Sequence, residues 1–239
     1  MLERIFGRTA LAAAIACLAL LSIGAATAGA AQDPNGLIDI SHQMGDIQHK
    51  LADLKAHGRF ARTGDLAASA TCGYDSATTV FAPWGDGNDY WLAPGGDLAG
   101  PAGWTLTKSA AIERGSAPGG GNSLVLPADG EAATPAMCIS EFDPSIRFFA
   151  QNTGKADSKL KIDLLYEDVN GHVQHITIAR LRGSAAWNPT VAIPIYINAV
   201  AAATENGVTA VAFAFKAEGL DRNGGWRISN LYVDPFRGR

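Results

Sequence analysis

The sequence lacks the linear signatures of several enzyme classes. It contains no G-x-S-x-G, no H-E-x-x-H and no P-loop, which excludes a serine-hydrolase elbow, a zincin helix and a phosphate cradle as local motifs. A catalytic group assembled from distant loops would leave no such trace. Charge is also sparse. Only 18% of residues are charged and the formal net charge is −4, against about a quarter charged in an average domain. No basic patch is visible, so neither a nucleic-acid partner nor an anionic membrane is expected, because phosphate binding needs clustered cations. Cysteine is scarce, with three in 239 residues, and none has histidine at metal-ligand spacing. Helical periodicity fades beyond residue 71, and neither βαβ alternation nor a propeller or solenoid repeat appears.

The first 31 residues have a different character. Arg4 and Arg8 form a positive start. Thr9 to Ala31 carries no charge, and Ala26-Thr27-Ala28 and Ala28-Gly29-Ala30 both fit an A-x-A cleavage signal. We read 1–31 as a secretory signal peptide cut between Ala28 and Ala31. The alternative is an uncleaved anchor, but the second half of the run is Ala, Gly and Thr, which suits a peptidase better than a bilayer core. Cys17 follows Ala14-Ile15-Ala16, a poor lipobox, and reads as a small apolar residue. Cleavage removes Arg4, Arg8 and Glu3 from totals of 19 basic and 23 acidic residues, leaving 17 and 22 and a net charge of −5. The expected location is secreted or cell-envelope associated, with no membrane insertion after cleavage. In an oxidising compartment the remaining pair, Cys72 and Cys138, is most simply a disulfide. Free thiols or a metal site are the alternatives.

Residues 32–71 form a helical segment and a linker. Leu37, Ile40, Met44, Ile47, Leu51 and Leu54 recur at spacings of three and four, the seam of a short amphipathic helix. Over 37–57 it would extend roughly 30 Å. It would oligomerise, pack on the main domain, or fray, since its length is near the minimum for a coiled coil. Arg62 to Thr71 is small and polar and reads as linker.

From Cys72 to Arg239, short apolar runs alternate with turn signals such as Gly85-Asp86-Gly87-Asn88, Pro94-Gly95-Gly96 and Asn170-Gly171. Candidate strands fall near 78–82, 89–92, 104–113, 123–126, 133–140, 146–151, 159–167, 172–182, 190–197, 208–217 and 226–233. The best hairpin joins 159–167 to 172–182, with Leu160, Ile162, Leu164 and Tyr166 on one face and Lys159, Lys161, Asp163 and Glu167 on the other. Pro194 marks an edge or an interruption. The pattern is all-β, a sandwich or barrel.

Three segments resemble a family of secreted bacterial proteins. They are Phe81-Ala82-Pro83-Trp84-Gly85-Asp86 with Asp89-Tyr90, then Met137-Cys138-Ile139 with Arg147-Phe148-Phe149-Ala150, and finally Trp226-Arg227-Ile228-Ser229-Asn230-Leu231-Tyr232-Val233-Asp234-Pro235. The last segment also resembles the closing strand of carbohydrate-binding jelly-roll modules. The resemblance covers about two thirds of the chain and implies a jelly-roll β-sandwich over 72–239. It assigns no active site. It makes Asp234 a candidate for a structural calcium, since the last strand of many such modules helps to hold one.

Aromatic and acidic residues supply the remaining candidates. Indole faces stack on the apolar C–H faces of sugars, and they also anchor sandwich cores. Trp84, Trp91 and Trp187 sit beside turns, where loop-borne binding residues are expected, and Tyr90 accompanies them; Trp104 and Trp226 begin strands and look structural. Asp86, Asn88 and Asp89 share one oxygen-rich loop, which would suit structural calcium, although Tyr90 breaks the EF-hand pattern; an ordinary Asx turn is the alternative. Beyond that calcium, no cofactor is expected. His172 and His175, three apart on a strand, point to opposite faces and cannot share an ion. Glu167 and Asp168 flank a turn and read as solvated. The expected function is a secreted non-catalytic binding or structural module directed at a polysaccharide or cell-surface glycan. The alternatives are an assembly module that oligomerises through the N-terminal helix, and a hydrolase with a loop-assembled site.

Overall fold

A computed structural model describes residues 65–73, 76–100, 103–168, 171–196, 207–219 and 225–235. The segments read as a signal peptide, 1–31, and as a heptad helix, 37–57, lie outside the described residues. Among the described residues, no helix is long and apolar enough to cross a membrane.

The chain forms two antiparallel sheets packed face to face. The first sheet has the order β10 (Asn188–Pro189), β7 (Ser145–Asn152), β13 (Gly225–Asp234), β4 (Ser123–Pro127), β3 (Ala111–Glu113). In addition β1 (Trp91–Leu92) pairs with β13 and β11 (Ile193–Pro194) with β7. The second has the order β2 (Thr105–Thr107), β5 (Glu131–Ala133), β12 (Val208–Glu218), β8 (Lys159–Glu167), β9 (Val173–Leu181), with β6 (Met137–Ser140) also on β12. The protein is thus an all-β two-sheet sandwich. The described helix, α1 (Asp65–Ser69), lies before the strands, in the stretch read as linker.

Alternation along the strands builds the core. Leu160, Ile162, Leu164 and Tyr166 of β8 are buried, as are Val211, Phe213 and Phe215 of β12. From the first sheet come Leu124, Leu126, Ile146, Phe148, Trp226 and Ile228. Phe148 of β7 meets Phe215 of β12 edge-on, with ring centroids 5.4 Å apart, joining the sheets. Each such side chain contributes about 1.5–3 kcal/mol on full burial.

Several sequence expectations change in physical detail. The run 104–113 is two strands in opposite sheets. Lys108 and Ser109 take left-handed φ values of 53° and 67° and turn the chain across the sandwich. The run 133–140 breaks at Thr134-Pro135-Ala136, because Pro135 has no N–H to donate; the Thr134 Oγ1 accepts from Phe213 N at 3.0 Å and patches the ladder. Residues 78–82 form no strand, only the Thr78–Tyr90 bridge followed by a 3₁₀ turn. Of the run read at 190–197, the described residues 190–196 hold the two-residue β11, with Pro194 at an edge as read. Glu167 is buried rather than solvated, and its Oε1 accepts from Leu66 N of α1 at 2.6 Å.

The same corner carries the disulfide. Thr71 bridges to Met137, and Cys72 bonds to Cys138 of β6 with 4.9 Å between Cα atoms. It closes a separation of 66 residues, worth about 4 kcal/mol in the chain-entropy account.

Candidate functional site on the outer side of the first sheet

Strand β7 carries apolar side chains on both faces. Ile146 and Phe148 point into the sandwich, while Arg147 and Phe149 point out. The segment 78–90 folds over that outer side. Its ends are clamped where Thr78 and Tyr90 exchange two backbone hydrogen bonds of 2.8 Å. Phe81, Tyr90 and Phe149 form a second, smaller core against which Val80, Trp187 and Tyr232 pack. Phe81 meets Tyr90 edge-on at 4.8 Å and Tyr232 at 5.5 Å.

Arg147 sits at the centre of this cluster. Its guanidinium lies 4.1 Å from the Phe81 ring centroid and 5.9 Å from that of Tyr90. Its Nε donates to the Thr190 carbonyl at 2.8 Å and its Nη1 donates to Asp86 Oδ2. The same Asp86 oxygen accepts from Tyr90 Oη at 2.7 Å, and Oδ1 accepts from Asn88 N at 3.0 Å. Burial pushes Asp86 up, but the bonds from Tyr90 and Asn88 and the Arg147 charge outweigh it and hold the carboxyl below its usual value. Burial and then the bond to Asp86 drive the Tyr90 phenol well above its ordinary range. Asp234, at the end of β13, goes the other way. Burial, with the charges of Asp86 and Asp143, pushes it up to about 6, against the hydrogen bond from Ser145 and the pull of Arg147.

This pair, a buried arginine and a half-buried carboxylate, fixes the loop that presents Trp84. Residues Ala82–Trp84 form a 3₁₀ turn begun by Pro83 and ended by Gly85 at φ 83°, a left-handed conformation that glycine adopts without strain. Gly85 N donates to the Ala82 carbonyl at 3.0 Å. Trp84 rests edge-on against Phe149 at 5.3 Å and leaves 43% of its surface in solvent. Trp187, immediately before β10, packs on the same cluster and is half-buried. Beside it opens a shallow depression lined by Arg182, Gly183, Ser184, Asn188, Thr190 and Trp226, among others. Glycine is required there, since a Cβ on Gly183 would stand 2.6 Å from Trp226 Cη2.

The structure thus brings Trp84 and Trp187 to one surface and withdraws other candidates. Trp91 is a core residue, 1% exposed, because β1 pairs it with Val233 on the inner side of β13. The Tyr90 ring is buried too, and its hydroxyl is engaged by Asp86. Trp104 and Trp226 are buried, their indole N–H groups donating to the Gly95 carbonyl and Ser158 Oγ. Asp86, Asp89 and Asp234 do not assemble as calcium ligands. Among the described residues no three His, Cys, Asp or Glu side chains form a group able to hold a metal ion, and the cation bonded to Asp86 is Arg147. Asp89 is simply exposed. His172 and His175 are exposed. The residue that organises the cluster, Arg147, stood out in the sequence only as part of the segment Arg147-Phe148-Phe149-Ala150. The available signal was Ile-Arg-Phe-Phe itself, where period two places an aromatic ring on the arginine's face as well as on the other, the mark of a strand covered on both sides.

No family model and no curated protein matches the chain. Its sandwich is similar to carbohydrate-binding modules of known structure at low identity. The C-terminal family 22 module of Clostridium thermocellum xylanase 10B is matched over 68% of this chain and 94% of its own, at 15% identity and a TM-score of 0.40. The family 11 module from the same organism, solved with a mixed-linked tetrasaccharide, is matched over 60% and 94%, at 14% identity and a TM-score of 0.34. A longer fragment of that xylanase, a family 22 module joined to the GH10 module and complexed with xylohexaose, is matched over 57% of this chain, at 8% identity and a TM-score of 0.38; this chain spans only 27% of it. The likeness is one of fold, and at these scores no functional argument rests on it.

Proposed function

We propose that the protein is a non-catalytic glycan-binding module, exported and attached to or released from the cell envelope, and that it grips its ligand through Trp84 and Trp187. The observation that supports this reading is the exposed indole of Trp84, held in place by a proline-containing turn above Phe149 and by the Arg147–Asp86 pair. An exposed aromatic ring on a rigid mount loses little conformational entropy on binding. It offers an apolar plane to the C–H face of a sugar, and the exposed Asn88 lies on the same loop. The disulfide suits the oxidising side of a membrane.

The test is co-sedimentation of the purified protein with insoluble polysaccharides and cell-wall material. Saturable binding is expected. Trp84→Ala should weaken it at least tenfold, about 1.4 kcal/mol, with the melting temperature unchanged, and Trp187→Ala should weaken it less. Absence of binding to every polymer, or binding indifferent to both substitutions, refutes the reading.

A further inference from the structure

Register extends the aromatic surface across the sheet. Gln151 of β7 lies opposite Arg227 of β13, Arg227 opposite Val125 of β4, and Val125 opposite Ala111 of β3. The flanking residues Leu124, Leu126, Trp226 and Ile228 are in the core, so this row of four faces outward. None of the four is buried. Trp187 stands at the head of the row, one position before the Asn188–Ala150 pair. On the side towards Trp84 the face is closed. Ser229 and Ser123 are buried there, Ser229 Oγ donating to the Asn122 carbonyl at 2.7 Å and Ser123 Oγ lying 2.6 Å from Ser116 Oγ. What remains is an open strip, headed by Trp187 and rimmed by Trp84 and the loop at 116–122.

The strip's chemistry is consistent along its length. Gln151 is oriented by donating Nε2 to the Ala185 carbonyl at 2.7 Å. Arg227 Nη2 donates to Glu113 Oε2 at 2.7 Å, so the two opposite charges sit side by side and offset each other. Val125 and Ala111 are small and leave the floor low. Five strands at about 4.8 Å spacing make the strip roughly 19 Å long, more than a single sugar can cover.

We infer that the ligand is an uncharged, linear polysaccharide lying across the strands along this strip, its one end stacked at Trp187 and Trp84 and a later unit hydrogen-bonded by the Arg227–Glu113 pair. This rests on the glycan reading above. A polyanionic chain would meet Glu113 as a like charge on a protein that is already net negative. The neutral pair instead presents N–H donors and carboxylate acceptors together, which suits the hydroxyls of a neutral chain.

The test is calorimetric titration with disaccharides and hexasaccharides prepared from cellulose, xylan, mannan and chitin, with oligogalacturonate as the charged control. For at least one neutral series the hexasaccharide is expected to bind tenfold or more tighter than the disaccharide, and oligogalacturonate not at all. Arg227→Met should lower hexasaccharide affinity about tenfold while leaving the disaccharide unchanged, whereas Trp84→Ala weakens both. Gln151→Ala, at a surface side chain, repeats the test should Arg227→Met fail to fold. If both strip variants bind the hexasaccharide like wild type while Trp84→Ala does not, the strip inference is overturned and the glycan reading stands. Preference for oligogalacturonate overturns the inference in the same way. Failure of every hexasaccharide to bind overturns both.

Discussion

Between the sheets, Trp226, Phe148, Phe213 and Phe215 pack among aliphatic side chains. On the outer side of β7, Phe81, Tyr90 and Phe149 pack around the Arg147 side chain, only 9% exposed and bonded to Asp86. The inner assembly is held by apolar burial, which is non-directional and tolerates sliding. The outer assembly is held by a charge pair with defined donors and acceptors, which gains less net energy but fixes geometry. A strand core needs the first kind of cohesion. A loop that carries one indole out into solvent, as Ala82–Trp84 does, is held by the second. The two assemblies should therefore fail separately when perturbed.

The largest effect is expected inside. Trp226→Ala removes an indole that fills the space against Gly183 and donates to Ser158 Oγ, and should cost about 3–5 kcal/mol. Denaturant titration followed by both fluorescence and far-UV circular dichroism should show one cooperative transition at a lower midpoint. A loss under about 1 kcal/mol would mean that the sandwich is not one cooperative core.

Next comes the outer pair. Arg147→Met keeps much of the side chain's volume but strands Asp86 beside two rings. A fully buried broken pair costs about 3–5 kcal/mol; here Asp86 keeps some solvent access, so about 2 kcal/mol is expected. Hydrogen exchange sharpens the comparison. The Trp84 and Gly85 amides, which close the 3₁₀ turn, should exchange much faster, while the Phe213 amide in β12 should slow or quicken only with global stability. Equal acceleration at all three sites would show that the outer cluster is not a separable unit.

The two assemblies also differ in how far the sequence announces them. The β8–β9 hairpin, β12 and β13 were legible because each runs nine or more residues with long stretches of period two, interrupted once in β9 and once in β13 by a register shift, and the two-sheet architecture followed from them. Short strands were not. The turn at Lys108-Ser109 uses left-handed residues that are not glycine, and so carries no turn signature. Trp84 and Trp187 were placed beside turns by their neighbouring Pro, Gly and Asn residues, and neither is buried. Trp91 shares that context and was misplaced, because its burial depends on pairing with β13, whose residues lie far along the chain. The same limit hid the centre of the site. Arg147 and Asp86 are 61 residues apart, and nothing local in either segment marks its partner. Asp86 and Asp234 could be grouped as oxygen ligands by residue type, but only the structure shows that the cation among them is an arginine.

The smallest expected effect is a gain, and it tests whether the outer assembly carries more negative charge than it can use. Asp234 lies near Asp86 and Asp143, with Arg147 as the opposing charge; its carboxyl is raised to about 6 in the folded protein, first by burial and then by those two acids. Its value in the unfolded chain is near 3.8. Below pH 4 the group is protonated in both states and carries no electrostatic penalty. Between 4 and 6 the unfolded chain loses the proton first, so unfolding releases protons and stability falls as pH rises. Above 6 both states are ionised and the penalty is complete. Asp234→Asn removes the charge and still accepts from Ser145 Oγ. Its melting temperature should therefore exceed that of wild type at pH 7.5, the difference shrinking through pH 5 and vanishing by pH 3.5. Partial exposure screens the interaction, so a shift of a few degrees at most is expected. A variant less stable than wild type at pH 7.5 would show that the attraction between Asp234 and Arg147 outweighs burial, and that the outer assembly uses both of its carboxylates to hold the arginine.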